Sequence, residues 1–218
     1  MFLFVQQWEI ARGRGAEYTD FVLRKHLPIS AKIGFNMIGG FHVMVGSGPR
    51  ISAVALADDS VQLQKAIESE EFLALTKELQ EFVYGYTNAI LRSTGRVDTK
   101  GYGIEVGAWR FNQYYKLIYG TEAKYAEFLK NRYIPEIEKL GIRIKAEWQV
   151  LLGTGLRLLL EGVTTNLVDV AQVIMSDKFR NLRRELLSNF AANYSSRILA
   201  PTGRVELAYL LGEMTKSL

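Results

Sequence analysis

The 218-residue sequence predicts an α+β fold made by tandem duplication of one β-α-β-β-α-β unit. Two observations predict it: a register that repeats along the chain, and a hydrophobic period that switches between two and 3.6 residues in the same order in each half. Tyr18 to Pro28, YTDFVLRKHLP, returns as Tyr125 to Pro135, YAEFLKNRYIP, a shift of 125 − 18 = 107 positions. The same shift superposes Gln6 on Gln113, Gly34 on Gly141, and Ser69, Phe72, Leu75 and Leu79 on Ser176, Phe179, Leu182 and Leu186. After a slip of one residue, Thr94-Gly95-Arg96-Val97 matches Thr202-Gly203-Arg204-Val205. Two units of ordinary small-domain size follow, 1–107 and 108–218; two copies are too few for a solenoid.

Each unit opens with a strand. Phe2, Phe4, Gln6, Trp8 and Ile10 alternate with Leu3, Val5, Gln7 and Glu9, and Trp109, Phe111, Gln113, Tyr115 and Leu117 repeat the row. Tyr18, Phe21, Val22 and Lys25 then fall on one helical stripe, as do Tyr125, Phe128, Leu129 and Arg132. Pro28 and Pro135 are expected to end or kink that helix. Phe41 to Val45 and Ile51 to Leu56, joined by Gly-Ser-Gly-Pro, read as a hairpin, matched by Trp148 to Leu152 and Arg157 to Leu160. Asp58-Asp59-Ser60 offers a helix N-cap, and Ser69-Glu70-Glu71 a second start, with acids where the helix dipole favours them. The apolar spacing predicts that this last helix runs through Phe72, Leu75, Leu79, Phe82, Val83, Tyr86 and Ile90, with Gly95 and Gly203 at C-caps. Closing strands are expected at Val97 to Val106 and around Val205, Leu207 and Tyr209. This order is the ferredoxin-like split β-α-β arrangement, an antiparallel sheet with both helices on one face. The bare face of each sheet needs a cover, and the duplicate supplies it, two sheets face to face within one chain.

Composition excludes several function classes. Hydrophobic residues make up 48% and charged residues 23%, enough to bury a substantial core. The balance of 27 basic and 23 acidic residues leaves +4, with the basic residues scattered rather than clustered, so no nucleic-acid partner is expected. The absence of cysteine excludes disulfides, thiolate metal sites and cysteine nucleophiles. MFLFVQQWEI carries no basic leader and its apolar run breaks at Gln6, and Val150 to Leu160 is interrupted by Gly153, Thr154, Gly155 and Arg157. A soluble, cytoplasmic chain with no membrane partner is expected.

The resemblance is carried by Lys25-His26-Leu27-Pro28 at the helix end, by Gly46-Ser47-Gly48-Pro49-Arg50 and by Ser69-Glu70-Glu71-Phe72. With two joined ferredoxin-like units, these make the chain similar to the dimeric α+β barrel superfamily and, within it, to NIPSNAP-like proteins. The resemblance implies a pseudo-dimer around a central cleft, open to further homodimerisation, and a superfamily that includes cofactor-free monooxygenases, haem-binding proteins and many members without known activity. Fold alone settles no chemistry. The haem-binding relatives use an axial histidine in the second half of the chain; both histidines here, His26 and His42, lie in the first. No cofactor and no metal are expected.

Candidate ligand-binding residues are Gln6, Trp8, Gln113, Tyr115, His26, Arg50 and Arg157. Gln6 and Gln113 interrupt an apolar row, and a buried amide left unsatisfied costs about 1–3 kcal/mol, so each either bonds neighbouring backbone or lines the cleft beside Trp8 and Tyr115. If the opposite row faces the cleft, Gln7, Glu9, Tyr114 and Lys116 line it instead. Lys25 and Arg132 read as snorkelling side chains at a helix end, and Arg50 and Arg157 as hairpin residues, unless the glycine loop cradles an anion. Arg96 and Arg204 read as structural cations, neutralising a helix end or pairing across the two units. His26 is replaced by Tyr133 in the second copy, so any chemistry it performs belongs to one half. The function expected is binding of a small, partly apolar or aromatic molecule between the sheets, with oxygenase-like turnover as one version. The competing expectation is a non-catalytic interaction module whose sheets pack together as core.

Overall fold

The computed structural model describes residues 1–103, 105, 107–153, 157–165 and 167–201. Its first half runs β1 (Phe2–Ile10), α1 (Gly15–Phe21), a π turn (Val22–His26), α2 (Leu27–Lys32), β2 (Asn36–Val45), β3 (Ile51–Ala57), α3 (Ser60–Ile67), α4 (Glu70–Leu79) and β4 (Val83–Ser93). The second repeats it: β5 (Trp109–Leu117), α5 (Glu122–Phe128), a π turn (Leu129–Tyr133), α6 (Ile134–Glu138), β6 (Arg143–Leu152), β7 (Leu158–Thr164), α7 (Leu167–Met175), α8 (Asp177–Asn189) and β8 (Ala191–Pro201).

Each half orders its strands 4-1-3-2, and the edges are exchanged: β2 pairs with β8 and β4 with β6, closing an eight-stranded antiparallel barrel. Closure leaves neither sheet with an unpaired edge. Helices cover the outside and side chains fill the inside, so β3 and β7 are buried along their whole length, the reason ISAVALA carries no polar alternation beyond Ser52. The halves agree in fine register. Gly40 lies opposite Ala53 as Glu147 lies opposite Leu160, and the bulge between Met37 and Gly39 recurs between Ile144 and Ala146.

The helix starts follow the caps in the sequence. Asp59 Oδ1 accepts from the Gln62 N–H at 2.8 Å, and Ser69 and Ser176 accept from Phe72 and Phe179 at 3.2 and 3.1 Å. The prolines do not end the first helix. In each copy a π turn intervenes, with Leu27 N–H bonding Val22 O and Ile134 N–H bonding Leu129 O, and the proline then sits in the first turn of the next segment, where its missing N–H costs little.

The second expected helix is a correction. It stops at Leu79, and Val83 to Ser93 is strand β4. Apolar spacing fits a helix through Ile90, yet VYGYTNAILRS is rich in aromatic and β-branched residues and fills the gap between β1 and β6, so tertiary pairing overrides the period. Gly95 therefore follows a strand, with φ +75°, and caps no helix. The fourth strand lies before the stretch expected to form it. Residues 94–103 instead form no strand, and Tyr102 enters the barrel interior, ring centroid 5.1 Å from that of Trp148. The Thr202-Gly203-Arg204-Val205 motif and the strand expected at Val205 to Tyr209 lie outside the described residues. Among the described residues no helix is long and apolar enough to cross a membrane.

Candidate functional site

The closed barrel decides which row faces where. Leu3 and Val5 of β1 point inward with Phe41, Val54 and Leu159, while Phe4, Gln6 and Trp8 point outward to the helices. In the second copy Arg110, Asn112 and Tyr114 face the interior, and Phe111, Gln113 and Tyr115 face α5 and the π turn. Cleft-lining by Gln6, Trp8, Gln113 and Tyr115 is thus corrected: all four lie in the sheet–helix layer. Even/odd alternation fixes that two rows exist but not which one a partner sheet covers.

The barrel interior is filled. Its cavity is about 20 Å³, room for about one water molecule. Arg110 Nη1 donates to Glu161 Oε1 at 2.7 Å and to the Tyr102 hydroxyl at 2.9 Å, and Tyr102 donates to Glu161 at 2.8 Å. Phe41 lies 4.2 Å below the guanidinium. Burial opposes the charge on Arg110, but Glu161 and Tyr102 outweigh it and hold its pKa above the ordinary value.

The second copy's sheet–helix layer is sealed by a hydrogen-bonded network. Tyr125 donates to Glu147 Oε1 at 2.5 Å, and its hydroxyl lies 2.6 Å from that of Tyr115. Thr94 Oγ1 and Arg96 Nε, from the first copy's Thr-Gly-Arg-Val motif, reach Glu147 Oε2 at 2.5 and 2.6 Å. Glu147 is fully buried. Tyr133, at the end of the π turn, donates to Gln113 Oε1 at 2.5 Å, and Tyr194 donates to the same oxygen at 3.0 Å. Burial first, then the neighbouring Tyr115 and Glu147, push the Tyr125 hydroxyl far above its usual pKa.

The first copy has the same aromatic scaffold with different chemistry. Trp8 and Tyr18 sit 6.3 Å apart at 65°, against 6.2 Å and 67° for Tyr115 and Tyr125. Trp8 stacks on Tyr86 as Tyr115 stacks on Tyr194. Trp8 Nε1 donates to the Tyr18 hydroxyl at 3.1 Å, and Gln6 Nε2 to the Tyr86 hydroxyl at 2.8 Å. His26 takes the place of Tyr133, 2% exposed, its ring against Trp8 and Phe21. Burial lowers its pKa from 6.5 to about 4, so the ring is neutral at pH 7. Gly40 and Ala53 stand where the second copy has Glu147 and Leu160.

A groove of about 530 Å³ opens on the outside of this layer, between α1 and α4, with Phe21 and Phe82 among its lining and Glu17, Asp20, Arg24, Lys25 and Glu78 charged around it. Lys25 pairs with Glu78 at 2.5 Å, and Arg132 with Glu185 at 2.8 Å in the second copy. Arg50 and Arg157 stay in their hairpins: their carbonyls accept from Val43 and Val150, and the Arg50 N–H and Nη1 go to Glu9 and to the Val43 carbonyl. The glycine loop before Arg50 packs onto β8, where a Cβ on Gly46 would lie 2.7 Å from the Ser196 carbonyl. Among the described residues no three His, Asp or Glu side chains converge as a metal site requires.

Of the expected residues, the structure brings Gln6, Trp8 and His26 together in one layer and Gln113 and Tyr115 in its counterpart; Arg50 and Arg157 join neither. Tyr18, Tyr86, Glu147 and Arg96 complete the two sites. Glu147 escaped the sequence reading because it has no echo. Its counterpart is Gly40, and a charged residue facing a glycine in the shared register is the signal that marks it.

No family model matches the chain and no curated protein does. Solved structures do. An anthrone oxidase-like protein superposes with TM-score 0.62 at 10% identity, covering 92% of this chain and 90% of that one. A candidate monooxygenase from Lactobacillus acidophilus NCFM superposes with TM-score 0.60 at 10% identity, over 92% and 93% of the two chains. A NIPSNAP family protein from Agrobacterium tumefaciens matches 43% of this chain and 93% of its own at 21% identity, TM-score 0.36. The fold is that of the dimeric α+β barrel proteins, with two ferredoxin-like units in one chain.

Proposed function

We propose that the chain binds a small, partly apolar or aromatic molecule in the sheet–helix layer of its first copy, reached from the groove between α1 and α4. The observation that carries the reading is the contrast between the copies. The second layer is closed by Glu147, Leu160 and Tyr133; the first has Gly40, Ala53 and His26 at those places, all smaller, within a matching aromatic frame. Trp8, Tyr18 and Tyr86 offer stacking surfaces, and Gln6 and His26 a few orienting polar groups, the usual make-up of a small-molecule site. The groove bordering this layer, lined by Phe21 and Phe82, has a volume in the range of small-molecule sites, whereas the 20 Å³ barrel interior is far below it.

Binding is better supported than turnover. Oxygenase-like chemistry without a cofactor needs a group to take a proton from the substrate, and a histidine with pKa about 4 is a weak base at neutral pH. The oxygenase names among the structural neighbours come with about 10% identity, a likeness of fold. The filled barrel favours one part of the competing reading: the face between the sheets is core.

Thermal shift and Trp fluorescence with 2-naphthol test the site. Binding should raise the melting temperature and quench Trp8, and Ala53→Leu, which installs the second copy's residue, should abolish both while the protein stays folded. Equal responses in wild type and A53L would overturn the placement.

A further inference from the structure

Inside the barrel the two copies also depart from each other. Val5 faces Val54 in the first copy as Asn112 faces Glu161 in the second, and Leu3 stands at the position of Arg110. All six side chains point into the barrel. Leu3, Val5 and Val54 show that apolar residues serve in this frame, and a buried ion pair adds little stability over apolar neighbours of similar size. Yet Arg110 and Glu161 are buried there, and Asn112 Oδ1 has no hydrogen-bond partner among the described residues. A partly satisfied polar set in an apolar interior points to a group that it receives.

The group it receives here is Tyr102, from the segment that joins the copies. The Tyr102 hydroxyl accepts from Arg110 at 2.9 Å and donates to Glu161 at 2.8 Å, and its ring meets Trp148 edge-on at 76°. Burial first, then Glu161, hold the hydroxyl protonated, its pKa well above the ordinary value. One donor and one acceptor beside a flat aromatic slot suit a neutral phenol. A carboxylate would meet Glu161 and an ammonium would meet Arg110, each a like charge.

Tyr102 hangs from an open turn. Thr94 and Arg96 fasten one end of the segment to Glu147, and Glu105 fastens the other to Arg143 and Lys145. Between them the turn bonds to itself, Tyr102 N–H to Thr99 O at 3.0 Å and Lys100 N–H to Asp98 Oδ1 at 2.9 Å. Gly101 and Gly103 flank the ring, and a Cβ on either would meet nothing within 4 Å. Lys100 and Gly101 are exposed, whereas Tyr102 is 7% exposed. The backbone runs over open surface while one side chain reaches inside.

We propose that the barrel interior is a phenol site closed by the chain's own Tyr102, and that a small phenol takes the place of that ring by lifting residues 98–103 as a strap between their two fastened ends. The incoming hydroxyl meets Arg110 and Glu161 as that of Tyr102 does, with its ring against Trp148. This site is separate from the sheet–helix layer of the first copy.

Trypsin cleavage of the full chain after Lys100, read by mass spectrometry with p-cresol and with toluene, tests it. Lys100 lies in the strap, so a molecule bound elsewhere leaves that bond protected. p-Cresol is expected to speed this cut at least about five-fold relative to cuts elsewhere, and toluene, the same ring without the hydroxyl, to leave it unchanged. Tyr102→Phe weakens the plug by its hydroxyl bonds, so calorimetric affinity for p-cresol should rise about five-fold. Tyr102→Ala removes the plug and should bind p-cresol at least about ten-fold tighter than toluene. If Y102A fails to fold, Y102F and the cleavage rate decide. Equal cleavage with and without p-cresol would overturn the strap. Toluene bound by folded Y102A as tightly as p-cresol would show a bare cavity and overturn the phenol site. Unchanged p-cresol affinity in Y102F would overturn the displacement of Tyr102.

Discussion

Tyr125 gives its hydroxyl proton to Glu147 across 2.5 Å of fully buried space, and the other oxygen of Glu147 is held by Arg96 from the opposite copy. Removing the carboxylate leaves a guanidinium and a phenol without their acceptor. Glu147→Ala is expected to cost about 3–5 kcal/mol, and Glu147→Ala with Arg96→Met less than the sum of the singles. Urea denaturation of the four proteins completes the cycle, and additive costs would show that the pair does not couple the copies.

His26 gives the fold a pH dependence of known sign. Its folded pKa of about 4 lies below the ordinary 6.5, so between those values the unfolded chain binds the proton more readily. Stability contributed by the neutral ring is present above pH 6.5, falls as the pH drops toward 4, and does not change further below it. The lowering from 6.5 to about 4 corresponds to roughly 3 kcal/mol. His26→Tyr, which restores the second copy's residue, should flatten stability against pH across that window in denaturation curves.

Gln113 belongs to a hydrogen-bonded layer. Its Oε1 accepts from Tyr133 and Tyr194, while Nε2 has no partner among the described residues. Gln113→Leu strands two buried hydroxyls and is expected to destabilise by about 1–3 kcal/mol. The shift produced by 2-naphthol should be unchanged, because the proposed site lies in the other copy; a lost shift would move the site.

Tyr102 closes the barrel from within, and its hydroxyl ties Arg110 to Glu161. Tyr102→Phe keeps the ring and the ion pair and should cost about 1 kcal/mol. Tyr102→Ala opens a cavity beside Trp148 and should cost about 3–5 kcal/mol, with a change in Trp fluorescence as water reaches the interior.

The register 18 to 125 carried most of the fold: the element order, both hairpins and all three serine or aspartate caps follow from it. The start of β4 did not, because Leu75, Leu79, Phe82, Val83 and Tyr86 fit a helical spacing as well as a helix followed by a strand, and only the gap between β1 and β6 decides. Within the site, Gln6, Trp8 and His26 were visible as polar or aromatic exceptions. Their side of the sheet was not, since a strand's alternation is symmetric until its neighbours are placed. Glu147 and Arg96 lie 51 residues apart, and nothing local announces that they meet.

The exchange of edge strands has a further consequence. A barrel assembled from two separate identical chains would have a stability that depends on protein concentration, and every substitution would appear twice. Joined in one chain, the halves meet by an intramolecular step, so closing the barrel itself does not depend on protein concentration. The tether also removes the identity constraint. One half keeps Glu147 and Tyr133 as internal bracing where the other has Gly40 and His26, so the two copies need not carry the same residues in the same frame.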